Sequence, residues 1–245
     1  MVDYMKRIFE KFETLFCILL IVIYILINMF CVQSFGITDY RSTIINTIFS
    51  ICLIVLMIIL KRISFYGLTK PTNIKKCLYF IPLLMIVSVN LWSGININNS
   101  ESEIIFHILT MINIGFIEEI IFRGFLFKMM AKDNIKAAII VTSLTFGIGH
   151  VVNLLNGADI IPTILQICSA ISIGYLFVII FHKTSSIIPC IITHSLINSL
   201  SIFNNENTLL LYITTIFIIA VSLIYATYIT KILSTFPQNK KINNI

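Results

Sequence analysis

Charge is what this sequence lacks most. Asp, Glu, Lys and Arg together make up 11% of its 245 residues, where a soluble domain carries about 25%. The hydrophobic share is 58% and the mean hydropathy +1.00. So little charge cannot wet the surface of a soluble enzyme, and so much apolar side chain excludes a disordered chain. The six cysteines form no C-x-x-C pair, which argues against both a disulfide framework and a cysteine metal site. No H-E-x-x-H occurs anywhere, so a zincin helix is excluded. The first apolar run is too long for a signal-peptide core and no small-residue cleavage site follows it.

What is present is a series of long apolar runs. They cover Leu15–Val32, Ile44–Leu60, Leu78–Trp92, Ile104–Met130, Ala137–Leu155, Ile160–Phe181, Ile187–Ile202 and Leu209–Ile229. Their length and continuity favour helices over the ten-residue alternating segments of a membrane barrel. The expectation is an all-α polytopic membrane protein, a bundle of about eight transmembrane helices, forming one domain over residues 1–245. The cysteines lie inside these runs and read as small apolar side chains.

The basic residues fall almost entirely on one side of that arrangement. Sixteen of the 17 Lys and Arg belong to the N-terminus (Lys6, Arg7, Lys11), the second, fourth and sixth inter-span regions, or the C-terminus (Lys231, Lys240, Lys241); Arg41 alone lies opposite. Asp39, Glu101, Glu103, Asp159 and Glu206 also fall on the opposite side. The positive-inside rule then predicts a multi-pass cell-membrane protein with both termini cytoplasmic. It also accounts for the net charge of +6 without nucleic acid as a partner.

Within the fourth run, FIEEIIFRGF places Glu118, Glu119 and Arg123 in otherwise continuous apolar sequence. Each ionised group at mid-bilayer depth costs about 2.5–3.5 kcal/mol, so such groups face the bundle interior and pair. On a helix Glu119 and Arg123 share a face in the favourable i,i+4 order, while Glu118 points away from Arg123. The fifth run carries Phe146, His150 and Asn153, and the seventh carries His194 and Asn198 at i,i+4. Taken singly these fit structural roles: an ion-pair cluster, a core histidine, a hydrogen-bonded helix pair. Gly147 and Gly149 read as packing positions. Together, with all four groups at similar depth in an alternating bundle, they imply one intramembrane polar pocket. His107 and His182 read as interfacial.

Three of these segments, EEIIFR (Glu118–Arg123), FGIGH (Phe146–His150) and HSLIN (His194–Asn198), resemble the motifs of the CAAX protease and bacteriocin-processing enzyme family of intramembrane proteases, in the family's order. The resemblance covers roughly residues 104–202, which it marks as the catalytic core. It implies peptide-bond hydrolysis with Glu118 as general base, activating water together with His150. It also implies that His194 and Asn198 stabilise the oxyanion, and that Glu119 and Arg123 form a supporting pair. Phe146 belongs to the second motif and Asn153 lies one turn beyond it. The chemistry is coherent: a carboxylate withdrawn from bulk water is a stronger base, and donors fixed in a water-poor site stabilise developing charge.

No cofactor is required by these residues. A divalent metal such as zinc, held by Glu118, His150 and His194, remains a second arrangement. The expected partners are the lipid bilayer and a membrane-associated peptide or protein substrate; in a bacterium, peptide maturation, peptide signalling and bacteriocin self-immunity are the roles implied. Two other functions compete. One is a non-catalytic immunity or binding protein that keeps the fold. The other is a proton-coupled transporter, which predicts inverted repeats that the sequence does not display.

Overall fold

The computed structural model describes residues 7, 9–205 and 207–233; Lys6, Glu206, Lys240 and Lys241 lie outside them. Among the described residues there is no strand. Eight apolar helices carry the fold: α1 (Glu13–Ser34), α2 (Tyr40–Ile59), α3 (Leu78–Leu91), α4 (Glu101–Met130), α5 (Ile135–Leu155), α6 (Ile160–Thr184), α7 (Ile188–Phe203) and α8 (Thr208–Ile232). The chain is an all-α, multi-pass membrane protein. Six of the eight have the length and composition to cross a bilayer, and α3 and α7 are shorter.

Each of the eight expected apolar runs forms a helix, and α3 and α7 are the short ones. At α3 the cause is local. Leu78, Tyr79 and Phe80 adopt φ of 51°, 52° and 60°, a left-handed turn that ordinary residues enter at a cost. Regular α-helix therefore begins only at Ile81, with Pro82 in its first turn. Helix α7 starts similarly, with Pro189 in its first turn, and closes in a 3₁₀ turn at Ser201–Phe203.

Helix starts are set by polar caps. Ser100 and Glu103 form a reciprocal capping box on α4, and Asn134 and Asn207 cap α5 and α8. Asp39 caps α2 and also takes two side-chain hydrogen bonds from Arg41, at 2.9 and 2.8 Å. Those bonds hold the Asp39 carboxyl down at about 2. The lone base on the expected outer side is thereby neutralised by its neighbour.

Ion pairs gather the expected cytoplasmic segments at one end of the bundle. Glu13 pairs with Lys132 and lies 3.7 Å from Arg62, which also pairs with Glu10. Thr72 donates to the Thr184 carbonyl, and Lys183 donates to the Leu233 carbonyl at 3.0 Å. At the other end Asn96 N–H donates to the Phe203 carbonyl and Gln33 to Asn156. Arg123 belongs to neither rim, because it is 1% exposed in the interior.

Helices α4 and α6 form the centre: half of the most apolar stretch of each is buried, against about a quarter in α1, α2, α5 and α8. Helix α6 packs along α5 and α8, and α4 along α7 and α2. The outward Ile and Leu side chains, such as Ile48, Ile216 and Ile224, would be an aggregation hazard in water and are the lipid-wetted surface in a bilayer. Cys17, Cys31, Cys77 and Cys190 are buried, Cys52 and Cys168 are exposed, and all six are free thiols.

Two histidines depart from the sequence reading. His107 is buried rather than interfacial, its Nε2 lying 3.1 Å from the Asn198 carbonyl and 3.4 Å from Ser201 Oγ, so it ties α4 to α7. His182 lies in the last turns of α6, half-buried beside Phe127, not in a loop.

Candidate functional site

The site begins where α4 changes character. Directly after Glu119 the helix widens into π geometry over Ile120–Phe127, and all eight of those residues are buried. Such segments carry one extra residue per bulge and re-aim the side chains around them, which is why they recur at functional sites. Here the change falls immediately after the two carboxylates. Arg123 within it still reaches Glu119: Nη1 donates to Oε1 at 3.0 Å, with both side chains sealed from outside.

Glycines bring the neighbouring helices within reach. A Cβ on Gly115 would lie 2.9 Å from the Ser195 backbone nitrogen, so α7 can press against α4 one residue from His194. Gly147 serves α5 and α6 likewise, with the Ile171 nitrogen 2.8 Å from its would-be Cβ. At Gly174 the added atom would meet Phe146, the Ser143 carbonyl and Arg123 Nη2. That glycine is therefore part of the site's wall. Nothing lies within 4 Å of the corresponding point on Gly149, so its expected packing role is corrected.

With the helices so placed, His194 bridges the two glutamates. Its Nδ1 lies 2.9 Å from Glu119 Oε1 and its Nε2 lies 3.5 Å from Glu118 Oε2. A carboxylate only accepts, so Nδ1 carries a proton toward Glu119 and the ring is fixed with Nε2 facing Glu118. Glu119 is thus held from two sides by Arg123 and His194. Glu118 has 15% of its side chain exposed, and one of its oxygens accepts from Tyr24 Oη at 2.5 Å.

Phe146 is the apolar floor. The Arg123 guanidinium lies 4.1 Å from its ring centroid, and the rings of His150, His194 and Phe122 meet it edge-on at 5.4–5.5 Å. Cation–π contact in a desolvated site is worth about 2 kcal/mol, which offsets part of the cost of burying the arginine. Phe177 adds a second ring 5.5 Å from the guanidinium.

The remaining expected residues are placed less closely. His150 sits in a 3₁₀ turn, Gly149–Val151, half-buried, with Nδ1 3.2 Å from the Phe146 carbonyl. Donation there leaves Nε2 with its lone pair. Among the described residues no hydrogen bond or ion pair joins His150 to either glutamate; Phe146 lies in contact with both histidines. Asn198 lies one turn after His194, half-buried. Its carbonyl accepts from Ser201 Oγ at 2.7 Å, and its side-chain amide makes no hydrogen bond among the described residues. Asn153 is turned to Gln166, with its amide donating at 2.8 Å near the surface, and so does not join the cluster.

Among the described residues no three His, Cys, Asp or Glu side chains are grouped as metal ligands; Glu118, His150 and His194 do not converge as such a set. An apolar groove of about 380 Å³ lies between α5, α6 and α8, lined by Ser143, Cys168, Tyr175 and Leu223 among others. None of the glutamates or histidines described above lines it.

Sequence reading passed over Tyr24, Asn28, Phe177 and the close-approach glycine Gly115. For Tyr24 and Asn28 a signal existed: apart from two cysteines they are the polar side chains of the run Leu15–Val32, at i,i+4.

Compared with known families, residues 100–200 match the model described as type II CAAX prenyl endopeptidase Rce1-like. That segment contains all three motifs, so the resemblance read from the motifs is borne out. Neither the curated proteins nor the solved structures give a significant match.

Proposed function

We propose that this protein is an intramembrane endopeptidase that hydrolyses a peptide bond of a membrane-associated peptide or protein, with Glu118 as the general base. The observation that carries this reading is the division of labour between the adjacent carboxylates. Glu119 is fully buried and held by Arg123 and His194, whereas Glu118 is partly exposed and keeps Oε2 unpaired except for the 3.5 Å approach of His194.

In this mechanism Glu118 Oε2 takes a proton from water as the oxygen attacks the scissile carbonyl carbon. His150 Nε2 accepts a hydrogen bond from the same water. The carbonyl oxygen becomes an oxyanion, stabilised by the Asn198 amide and by His194 Nε2–H. That second donor requires a doubly protonated imidazole, with Nδ1–H directed at the Glu119 carboxylate. Collapse of the intermediate breaks the C–N bond, and the proton held by Glu118 passes to the leaving amine. Peptide matter enters a site poor in bulk water, where each of these dipoles acts more strongly than it would in solution.

The setting proposed is a cell membrane with both termini cytoplasmic, from the asymmetry of basic residues. The richness in Ile, Asn and Lys accords with an AT-rich bacterial genome and hence with peptide maturation, peptide signalling or bacteriocin self-immunity. The test reconstitutes wild type and Glu118→Gln in proteoliposomes at matched levels. The substrates are a quenched fluorescent farnesylated CaaX peptide and a membrane-anchored peptide precursor encoded beside this gene. Cleavage by wild type alone supports the reading. Equal cleavage by both removes Glu118 as base, and no cleavage by wild type of either substrate counts against the endopeptidase. Adding EDTA, then zinc, tests the metal-dependent arrangement.

A further inference from the structure

One wall of the site lies outside the segment that the family match covers. Tyr24 of α1 is 4% exposed, and its hydroxyl donates to Glu118 Oε1 at 2.5 Å. One turn later Asn28 Nδ2 donates to the same hydroxyl oxygen at 3.0 Å. The phenol therefore has its acceptor and its donor both satisfied, with its proton committed to the carboxylate. Its ring lies parallel to Phe49 of α2, at 6.3 Å between centroids and 5° between planes. The side chain is fixed by packing on one side and hydrogen bonding on the other. Tyr24, Asn28 and Phe49 all lie outside residues 100–200.

The consequence concerns which oxygen of Glu118 works. With Oε1 engaged by Tyr24, the carboxylate cannot rotate freely, and Oε2 is the oxygen presented toward His194 Nε2. We infer that Tyr24, backed by Asn28, is a positioning residue that fixes the Glu118 carboxylate for catalysis, so that α1 completes a site otherwise built by α4, α5, α6 and α7. This rests on Glu118 being the base. A base held loosely spends less time in a reactive geometry, and small misplacements lower turnover without weakening substrate binding.

The experiment compares Tyr24→Phe, which keeps the ring and removes the hydroxyl, with wild type, Asn28→Leu and Glu118→Gln in the proteoliposome assay on the farnesylated peptide and the neighbouring precursor. Loss of one hydrogen bond to a charged group predicts a kcat about tenfold lower in Tyr24→Phe, with KM within about twofold. Asn28→Leu lowers kcat in the same way by about threefold or less. A wild-type kcat in Tyr24→Phe overturns the inference, and if that variant does not accumulate, the same result in Asn28→Leu overturns it.

A measurement without substrate separates this from the protease reading. Infrared difference spectra against Glu118→Gln isolate the Glu118 carboxylate band, which shifts in Tyr24→Phe if the contact exists. An unshifted band overturns the inference alone. A shifted band with no cleavage by wild type removes the protease reading, and the catalytic role of Tyr24 with it.

Discussion

Glu118 and Glu119 are consecutive in the chain and identical in chemistry, yet the fold gives them opposite surroundings. Glu119 is wholly buried, with Oε1 shared by the Arg123 guanidinium and the His194 ring. Glu118 meets a single neutral hydroxyl, approaches His194 no closer than 3.5 Å, and is open on one side. The dry side, formed by Glu119, Arg123, Phe146 and Gly174, is a structural ion pair roofed by aromatic rings. On the open side Glu118 keeps Oε2 and His150 keeps Nε2 without a close hydrogen-bond partner, and the Asn198 amide makes no hydrogen bond among the described residues. In the proposed mechanism the reactive carboxylate is supported by a neutralised neighbour, because the buried pair fixes the ring of His194.

The strongest way to break this comparison is to remove the dry-side carboxylate. Glu119→Ala leaves Arg123 buried without a partner, and breaking a buried pair from one side costs about 3–5 kcal/mol. The expected outcome is loss of accumulated protein and a large fall in melting temperature in detergent. Glu118→Gln, by contrast, should melt within a few degrees of wild type. Equal destabilisation by both substitutions would erase the distinction between the two sides.

On the open side the effect should fall on rate instead of stability. In the proposed mechanism Asn198→Ala removes one donor to the oxyanion, and such losses typically lower kcat by about 10²–10³. Because the amide has no hydrogen-bonding partner among the described residues, the melting temperature should be unchanged. A stability loss as large as that of Glu119→Ala would place Asn198 on the structural side.

Much of this division could be read from residue order, and some could not. The pairing of Glu119 with Arg123 follows from i,i+4 spacing, and it persists even though Arg123 sits in π geometry. Helical periodicity also foretold that Glu118 would be left out of that pair. The shared pocket was legible because charges in apolar spans must converge on something. Nothing in the spacing revealed that His194 would sit between the glutamates, since that depends on how closely α7 approaches α4 at Gly115. Asn153 looked like part of the second motif's face, but the helix breaks to 3₁₀ at Gly149 and rotates it toward Gln166. His107 read as interfacial because hydropathy counts position along a span and is blind to the α7 carbonyl waiting beside it. Composition likewise does not register the three left-handed residues that precede Ile81.

The smallest effects come from two glycines two residues apart on α5, and they test the comparison most finely. Gly147 faces the sealed side, where a Cβ would press on the α6 backbone at Ile171 N and the Ile167 carbonyl. Backbone cannot swing aside, so Gly147→Ala forces the helices apart at a cost of about 1–3 kcal/mol, the range for overpacking. Gly149 has ordinary helical φ of −51° and open space where its Cβ would be. An alanine there narrows the unfolded ensemble without straining the folded one, so Gly149→Ala should stabilise by about 0.4–1 kcal/mol. Opposite shifts in melting temperature are expected from the same added methyl. If both alanines destabilise alike, the wall beside His150 is as closely packed as the wall beside Arg123, and the open side is narrower than its geometry indicates.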